Sequence, residues 1–216
     1  MVSLETIRIK LRRFYITKTA KIRRKRIKIE NFTIISNNCW GGFIYQSYNL
    51  KYNTPTIGLF FMAEDYIEFL KDIKKWIYKP IQFINYQDSK YYNHFKKWNK
   101  FGKYPIGIFK DSNIEIHFLH YNSSNKAIDD WSRRVKRINW DKVIYKFNDQ
   151  NLCKYIHIKR FDELPYENKI CFTTKELNLK SVIHIKKASK FVEIPTSYEP
   201  FGFSKLININ EIINKL

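Results

Sequence analysis

Apolar residues recur along this chain in short runs that alternate with amphipathic stretches. FTIIS (32–36) has the pattern of a short strand and runs into the turn SNNCWGG (36–42), after which FIYQSYNL can open a short helix. TPTIGLFF (54–61) reads as a strand after a turn-forming proline. In EDYIEFLKDIKKWI (64–77), Tyr66 or Ile67, Leu70, Ile73 and Ile77 fall on one face at helical spacing, which predicts an amphipathic helix. PIQFINY (80–86) is strand-like, and PIGIF (105–109) with IEIHFLHY (114–121) reads as a hairpin around KDSN. A second helix is predicted over SNKAIDDWSRRVKRI (124–138), with Ala127, Ile128, Trp131, Val135 and Ile138 as its buried face. KVIYKFN (142–148), KICFTT (169–174) and SVIHI (181–185) are strand-like, 151–162 is helical, and ININEIINKL forms a last short helix. Residues 88–104 are rich in aromatics and Lys and show no clean period.

Strands alternating with amphipathic helices imply an α/β fold: one three-layer domain over 31–216, with a mostly parallel sheet flanked by helices. Residues 1–30 form a basic N-terminal arm before it. In the arm Leu4, Ile7, Leu11 and Phe14 have helical spacing with Arg8, Arg12 and Arg13 between them. Ile7, Ile9 and Leu11 also alternate, so a strand stays open there. In parallel sheets ligands bind beyond the carboxyl ends of the strands, which selects SNNCWGG, the end of GLFFMAED, HYNSSN and CFTTKE as the loops to inspect.

Charge changes this picture less than its size implies. The formal net charge is +20, but residues 1–28 hold 11 of the 40 basic residues and one acid, Glu5, so half the excess sits in the arm. The remainder is spread thinly over a body rich in Ile, Asn, Lys, Tyr and Phe, a bias expected of an AT-rich genome. Nucleic acid is therefore less favoured as a partner than an anionic membrane surface met by residues 8–28. Cys39, Cys153 and Cys171 have no paired spacing, and the first residues lack the apolar core of a secretory signal. Together they point to a reduced, cytoplasmic setting, and the basic arm adds a peripheral place at the inner face of the membrane.

The chemistry-bearing residues cluster in two segments. In SNNCWGG, Gly41 and Gly42 would let a ligand approach the backbone, Asn37 and Asn38 would add amide donors and acceptors, and Cys39 could act as a nucleophile at a helix start. The same glycines equally suit a plain strand-to-helix turn, and Cys39 a small buried side chain. The segment matches neither GxGxxG nor a P-loop, so it names no cofactor. In the 124–138 helix, Arg133, Arg134 and Arg137 could clamp a phosphate. Alternatively, Asp129 with Arg133 and Asp130 with Arg134 form ordinary i,i+4 ion pairs. His120 ends a strand where a base could sit, with Asp130 as the other candidate base. His117 and His120 lie three apart on a strand and face opposite sides, so they predict no metal site.

FTIISNNCWGG, TIGLFF, DYIEFLKDIKKW and AIDDWSRRVKRINW resemble a bacterial family described as exopolysaccharide or capsular polysaccharide biosynthesis proteins, from about residue 30 to the end. The resemblance implies surface-polysaccharide assembly; taken with the strand-end clustering of the loops, it leads to the expectation of a transferase acting on a nucleotide- or lipid-linked sugar, with SNNCWGG and Arg133, Arg134 or Arg137 holding the anionic donor. That composite site requires both segments on one side of the sheet. A non-catalytic scaffold tethered to membrane or nucleic acid by the arm is the alternative, and a thiol hydrolase or acyltransferase using Cys39 a third reading.

Overall fold

The computed structural model describes residues 4–216. Two helices, α1 (Leu4–Lys18) and α2 (Ala20–Arg24), lead into strand β1 (Thr33–Ser36) and helix α3 (Trp40–Ser47). Then follow α4 (Ala63–Lys71), α5 (Ile73–Trp76), β2 (Ile81–Ile84), α6 (Tyr92–Phe95), β3 (Ile106–Phe109) and β4 (Glu115–His117). The chain continues through α7 (Ser124–Val135), β5 (Val143–Asn148), α8 (Tyr155–Glu163), β6 (Lys169–Thr173), β7 (Val182–His184) and α9 (Ile209–Asn214). Strands β1, β5, β6 and β7 lie side by side in that order, all parallel. A separate antiparallel sheet, β2-β3-β4, sits within the long crossover between β1 and β5.

The period-two alternation of the strands separates two cores. Ile35, Val143, Tyr145, Phe147 and Cys171 point to one face, where they pack with α4, α7, α8 and the antiparallel sheet. Ile34, Ile144, Ile170 and Phe172 point to the other, where they meet α3 and α9. This is the expected three-layer α/β architecture, with the antiparallel sheet added. Tyr66 of α4 ties the edge strand β1 to its neighbour β5, its hydroxyl placed 2.9 Å from the carbonyls of both Ile35 and Lys146.

Three local readings differ from expectation, each for a physical reason. Residues 54–61 run beside the free edge of β1 without forming a regular strand. Pro55 has no N–H, Gly58 takes φ +73°, and hydroxyls replace the ladder: the Ser36 N–H donates to Thr56 Oγ1 at 3.2 Å. Only Phe60 bridges, to His117. The predicted 64–77 helix breaks at Asp72, whose backbone (φ −143°, ψ 56°) separates α4 from α5. The basic segment is packed against the body for much of its length. Ile16, Ala20 and Ile27 are buried, and Ile16 and Ile27 share the apolar cluster of Phe32 and Trp40. Arg23 is buried as well, donating to the Ser47 carbonyl at 2.7 Å.

Candidate functional site

The carboxyl ends of β1 and β5 carry polar residues into the α3 side of the sheet. Along β5 the side chain after Ile144 on that face is Lys146, and the next is Asn148. Both are fully buried, as are Asn37 and Glu199. The Lys146 ammonium donates to Asn38 Oδ1 at 2.8 Å, to Asn37 Oδ1 at 3.3 Å, and to the Glu199 carboxylate. An ammonium has three donors, so it is satisfied. Asn148 Nδ2 donates to Glu199 Oε1 at 2.7 Å, and Asn38 Nδ2 to Glu199 Oε2 at 3.1 Å. Asn37 Nδ2 reaches Asn148 Oδ1 at 2.7 Å, and Gln150 Oε1 accepts from both Asn38 and Asn148. Burial pushes the Lys146 pKa down, and the Glu199 carboxylate works against that shift.

Glu199 arrives from far along the chain, in a strap formed by residues 194–203 that crosses the strand ends. Asp149 and Gln150 hold its start, Asp149 Oδ1 accepting from the Ile194 N–H at 2.8 Å and Gln150 Nε2 donating to the Ile194 carbonyl at 2.6 Å. Trp40 Nε1 donates to the Pro200 carbonyl at 2.7 Å. From above, Arg12 of α1 donates to the carbonyls of Ser197 (3.2 Å), Glu199 (2.9 Å) and Phe201 (3.0 Å), and lies 3.8 Å over the Phe201 ring. Burial, with Arg8 nearby, brings the Arg12 guanidinium down to about 10. Beside the strap, at the ends of β5 and β6, a cleft of about 100 Å³ opens between Asp149, Thr173, Thr174, Cys153 and Lys154.

The sequence-selected residues divide between this place and others. Asn37 and Asn38 belong to the buried cluster. Gly41 and Gly42 serve packing: a Cβ on Gly41 would sit 3.2 Å from Ile34 Cγ2, and one on Gly42 would sit 3.4 Å from Ile57 Cδ1, so the space beside both is protein. Cys39 is half-buried, and burial together with Glu199 pushes its thiol up to about 11, away from a thiolate nucleophile at neutral pH. His120 is exposed, and its backbone N–H donates to the Gly58 carbonyl at 2.9 Å. Desolvation, Lys100 and Arg13 lower its pKa, which keeps the imidazole neutral. Cys39 and His120 both adjoin the Gly58–Leu59 segment, the thiol lying 3.9 Å from the Leu59 carbonyl oxygen.

The arginine helix lies elsewhere, and the composite site is not assembled. α7 packs in the core on one face of the parallel sheet while α3 covers the other. Asp130 binds Arg133 (2.6 Å), Lys126 (3.0 Å) and Arg134 (3.1 Å). Burial works upward on its pKa, but the hydrogen bonds from Arg133 and Lys126 outweigh it and hold the carboxyl low, a poor base. Arg133 thus pairs with Asp130 rather than Asp129. Arg134 also donates to the Tyr121 hydroxyl at 2.6 Å. Arg137 reaches the Tyr52 carbonyl at 3.5 Å and borders a wide, open hollow near Asn31 and Trp140, at the amino end of β1.

Lys146, Asn148, Gln150 and Glu199 did not stand out in the sequence. Lys146 could have done so: VIYKFN is a buried central strand, and a charge inside one needs a partner. Glu199 has no local signal, because its meaning comes from a contact 53 positions away in the chain with Lys146.

A three-layer α/β protein with a polar cluster at its strand ends, sealed by its own C-terminal strap, is the class that the fold and this geometry define. Among the described residues no group of three or more His, Cys, Asp or Glu is placed to hold a metal, and no helix is long and apolar enough to cross a membrane. The chain belongs to the family "Domain of unknown function (DUF1919)", whose pattern matches residues 10–214. It is similar to an uncharacterised protein of Haemophilus influenzae (strain Rd), 29% identical over 196 residues that cover 90% of this chain and 86% of the relative.

Proposed function

We propose that this protein is a transferase of surface-polysaccharide assembly that takes a nucleotide- or lipid-linked sugar, with the donor's anionic group bound at the carboxyl ends of β1 and β5. The observation that carries the reading is Lys146, a buried cation at the strand ends that is neutralised by a carboxylate from a separate segment. A donor phosphate would replace Glu199 on Lys146, Asn38 and Asn148 as the strap moves aside. In the transfer, the acceptor hydroxyl oxygen bonds to the anomeric carbon while the bond from that carbon to the donor phosphate breaks. The phosphate leaves with the bonding electron pair, and Lys146 offsets its growing charge. His120, neutral and exposed near the same end of β1, takes the acceptor's proton. The resemblance to exopolysaccharide and capsule proteins supports the choice of substrate.

One observation favours a non-catalytic binding or scaffold protein instead: each ammonium and carboxylate of the cluster is already satisfied within the chain. Calorimetric titration with uridine and cytidine diphosphate sugars separates the two. Wild type should bind one donor, and Glu199→Gln should bind it about tenfold more tightly, because the competing carboxylate is gone. Lys146→Met should lose binding. If neither wild type nor the folded Glu199→Gln protein takes up any donor, the cluster is structural and the transferase reading fails.

A further inference from the structure

Helix α1 has two apolar faces, and only one meets the protein. Ile16, with Arg12 beside it, turns inward against α3 and the strap. On the opposite side Leu4, Ile7, Leu11, Phe14 and Tyr15 face solvent, with Leu4 86%, Tyr15 77%, Leu11 65% and Phe14 60% exposed. At 3.6 residues per turn these five side chains fall within an arc of about 100°. This is the stripe whose spacing marks the sequence as helical, and it is turned away from the core.

The rim of the stripe carries one sign of charge. Lys10 flanks it, Lys18 lies within it with its ammonium 4.6 Å over the Phe14 ring, and Lys21 of α2 and Lys25 just after that helix are exposed beyond it. The helix has a single carboxylate, Glu5, which accepts from the Ser197 N–H at 3.3 Å and so turns toward the strap. An apolar stripe with a purely cationic rim complements a surface that offers hydrocarbon beneath a layer of anions. A second copy of the chain would bring the same lysines against themselves. A nucleic acid would satisfy the lysines but leave the apolar centre without a partner.

We infer that α1 is a membrane-surface helix whose Leu4–Tyr15 stripe lies flat in the headgroup region of a bilayer containing anionic phospholipid. The helix of 15 residues is about 22 Å long at 1.5 Å per residue, and with its charges it lies on the bilayer rather than across it. Inserted this way, it leaves its other face on the strap.

Co-sedimentation of the full chain with phosphatidylcholine vesicles, with and without phosphatidylglycerol, tests this. The wild type should partition onto the phosphatidylglycerol vesicles, more weakly onto the neutral ones, and less as salt rises. Leu11→Glu with Phe14→Glu should lower partitioning roughly a hundredfold, through lost apolar insertion. Lys10→Ala and Lys18→Ala should each lower it roughly fivefold. All four side chains are exposed, so the melting temperature should not move. Leu11→Ser with Phe14→Ser serves as a second pair if the glutamates disturb the fold. Absence of binding to phosphatidylglycerol vesicles would overturn the inference. Binding that ignores the Leu11 and Phe14 changes but falls with the lysines would make this face a general polyanion contact. A lipid-free dimer split by the same double substitution would make a second copy the partner.

Discussion

His117 shows how a single buried residue can set the acid limit of the fold. Its ring is fully buried, stacked 4.6 Å from Phe60, with Nδ1 3.3 Å from the Tyr104 hydroxyl. Nε2 lies 3.5 Å from Glu115 but makes no hydrogen bond, since Glu115 is engaged by Ser89 and the Lys90 N–H. Burial, with Lys90 nearby, lowers the imidazole from 6.5 to about 3. The folded state then binds fewer protons than the unfolded chain between those values. The stabilisation is fully present above the unfolded pKa of 6.5 and is lost as pH falls toward 3. Urea unfolding should show wild type losing about 2 kcal/mol from this group between about pH 7 and pH 5, at about 1.4 kcal/mol per pH unit. His117→Phe keeps the aromatic stack and should lack that part of the slope; equal slopes would place the proton elsewhere. The sequence marks His117 only as a strand histidine facing away from His120. Its consequence needs the aromatic shell of Phe60, Tyr91, Phe95 and Tyr104 around it, the last three drawn from the stretch without a period.

At the scale of elements, the strap and α1 act as one unit. Residues 194–203 contain no regular strand or α-helix, so their order depends on side chains from other elements, and Arg12 by itself donates to three of their carbonyls. Hydrogen bonds from a charged donor contribute about 1.5–3 kcal/mol each. Arg12→Ala should therefore raise amide hydrogen exchange across 194–203 by about tenfold or more while leaving β5 and β6 unchanged. Uniform protection in the variant would mean that Trp40, Asp149 and Gln150 hold the strap without it. Elements were legible where periodicity reports burial. The parallel strands, the hairpin and α7 all follow from apolar spacing. The same rule misplaces α1, whose regular stripe faces solvent while its inward face is built from Ile16 and an arginine. It also cannot show that 54–61 would bond to β1 through threonine hydroxyls. The candidate site was half legible: Asn37 and Asn38 lie in the turn that the strand-end rule selects, but Glu199 comes from a segment with no pattern.

For the whole molecule, the two ends of the chain close the same core. The α3 side of the sheet is covered by Trp40, Ile44 and Tyr45 from within, by Phe201, Ile209 and Ile213 from the C-terminal end, and by Ile16 and Ile27 from the N-terminal end. Arg23 seals this side by donating to Ser47, and the Lys28 N–H donates to Asn214 at 2.6 Å, joining the two ends. Removing residues 1–30 would uncover two buried isoleucines' worth of apolar surface, each worth about 1.5–3 kcal/mol, and would strip the strap of Arg12. The 31–216 fragment should therefore unfold at lower denaturant than the full chain, by about 3–6 kcal/mol before the loss of Arg12 is counted. Denaturant melts of both chains, followed by tryptophan fluorescence, measure the difference directly. Trp40 reports on this core, because its indole is bonded to the strap at Pro200. A fragment that melts with the full chain would make the basic segment a separable arm. A destabilised fragment would make it a wall of the core, so that any surface α1 docks onto is felt at the strap and, through Glu199, at Lys146.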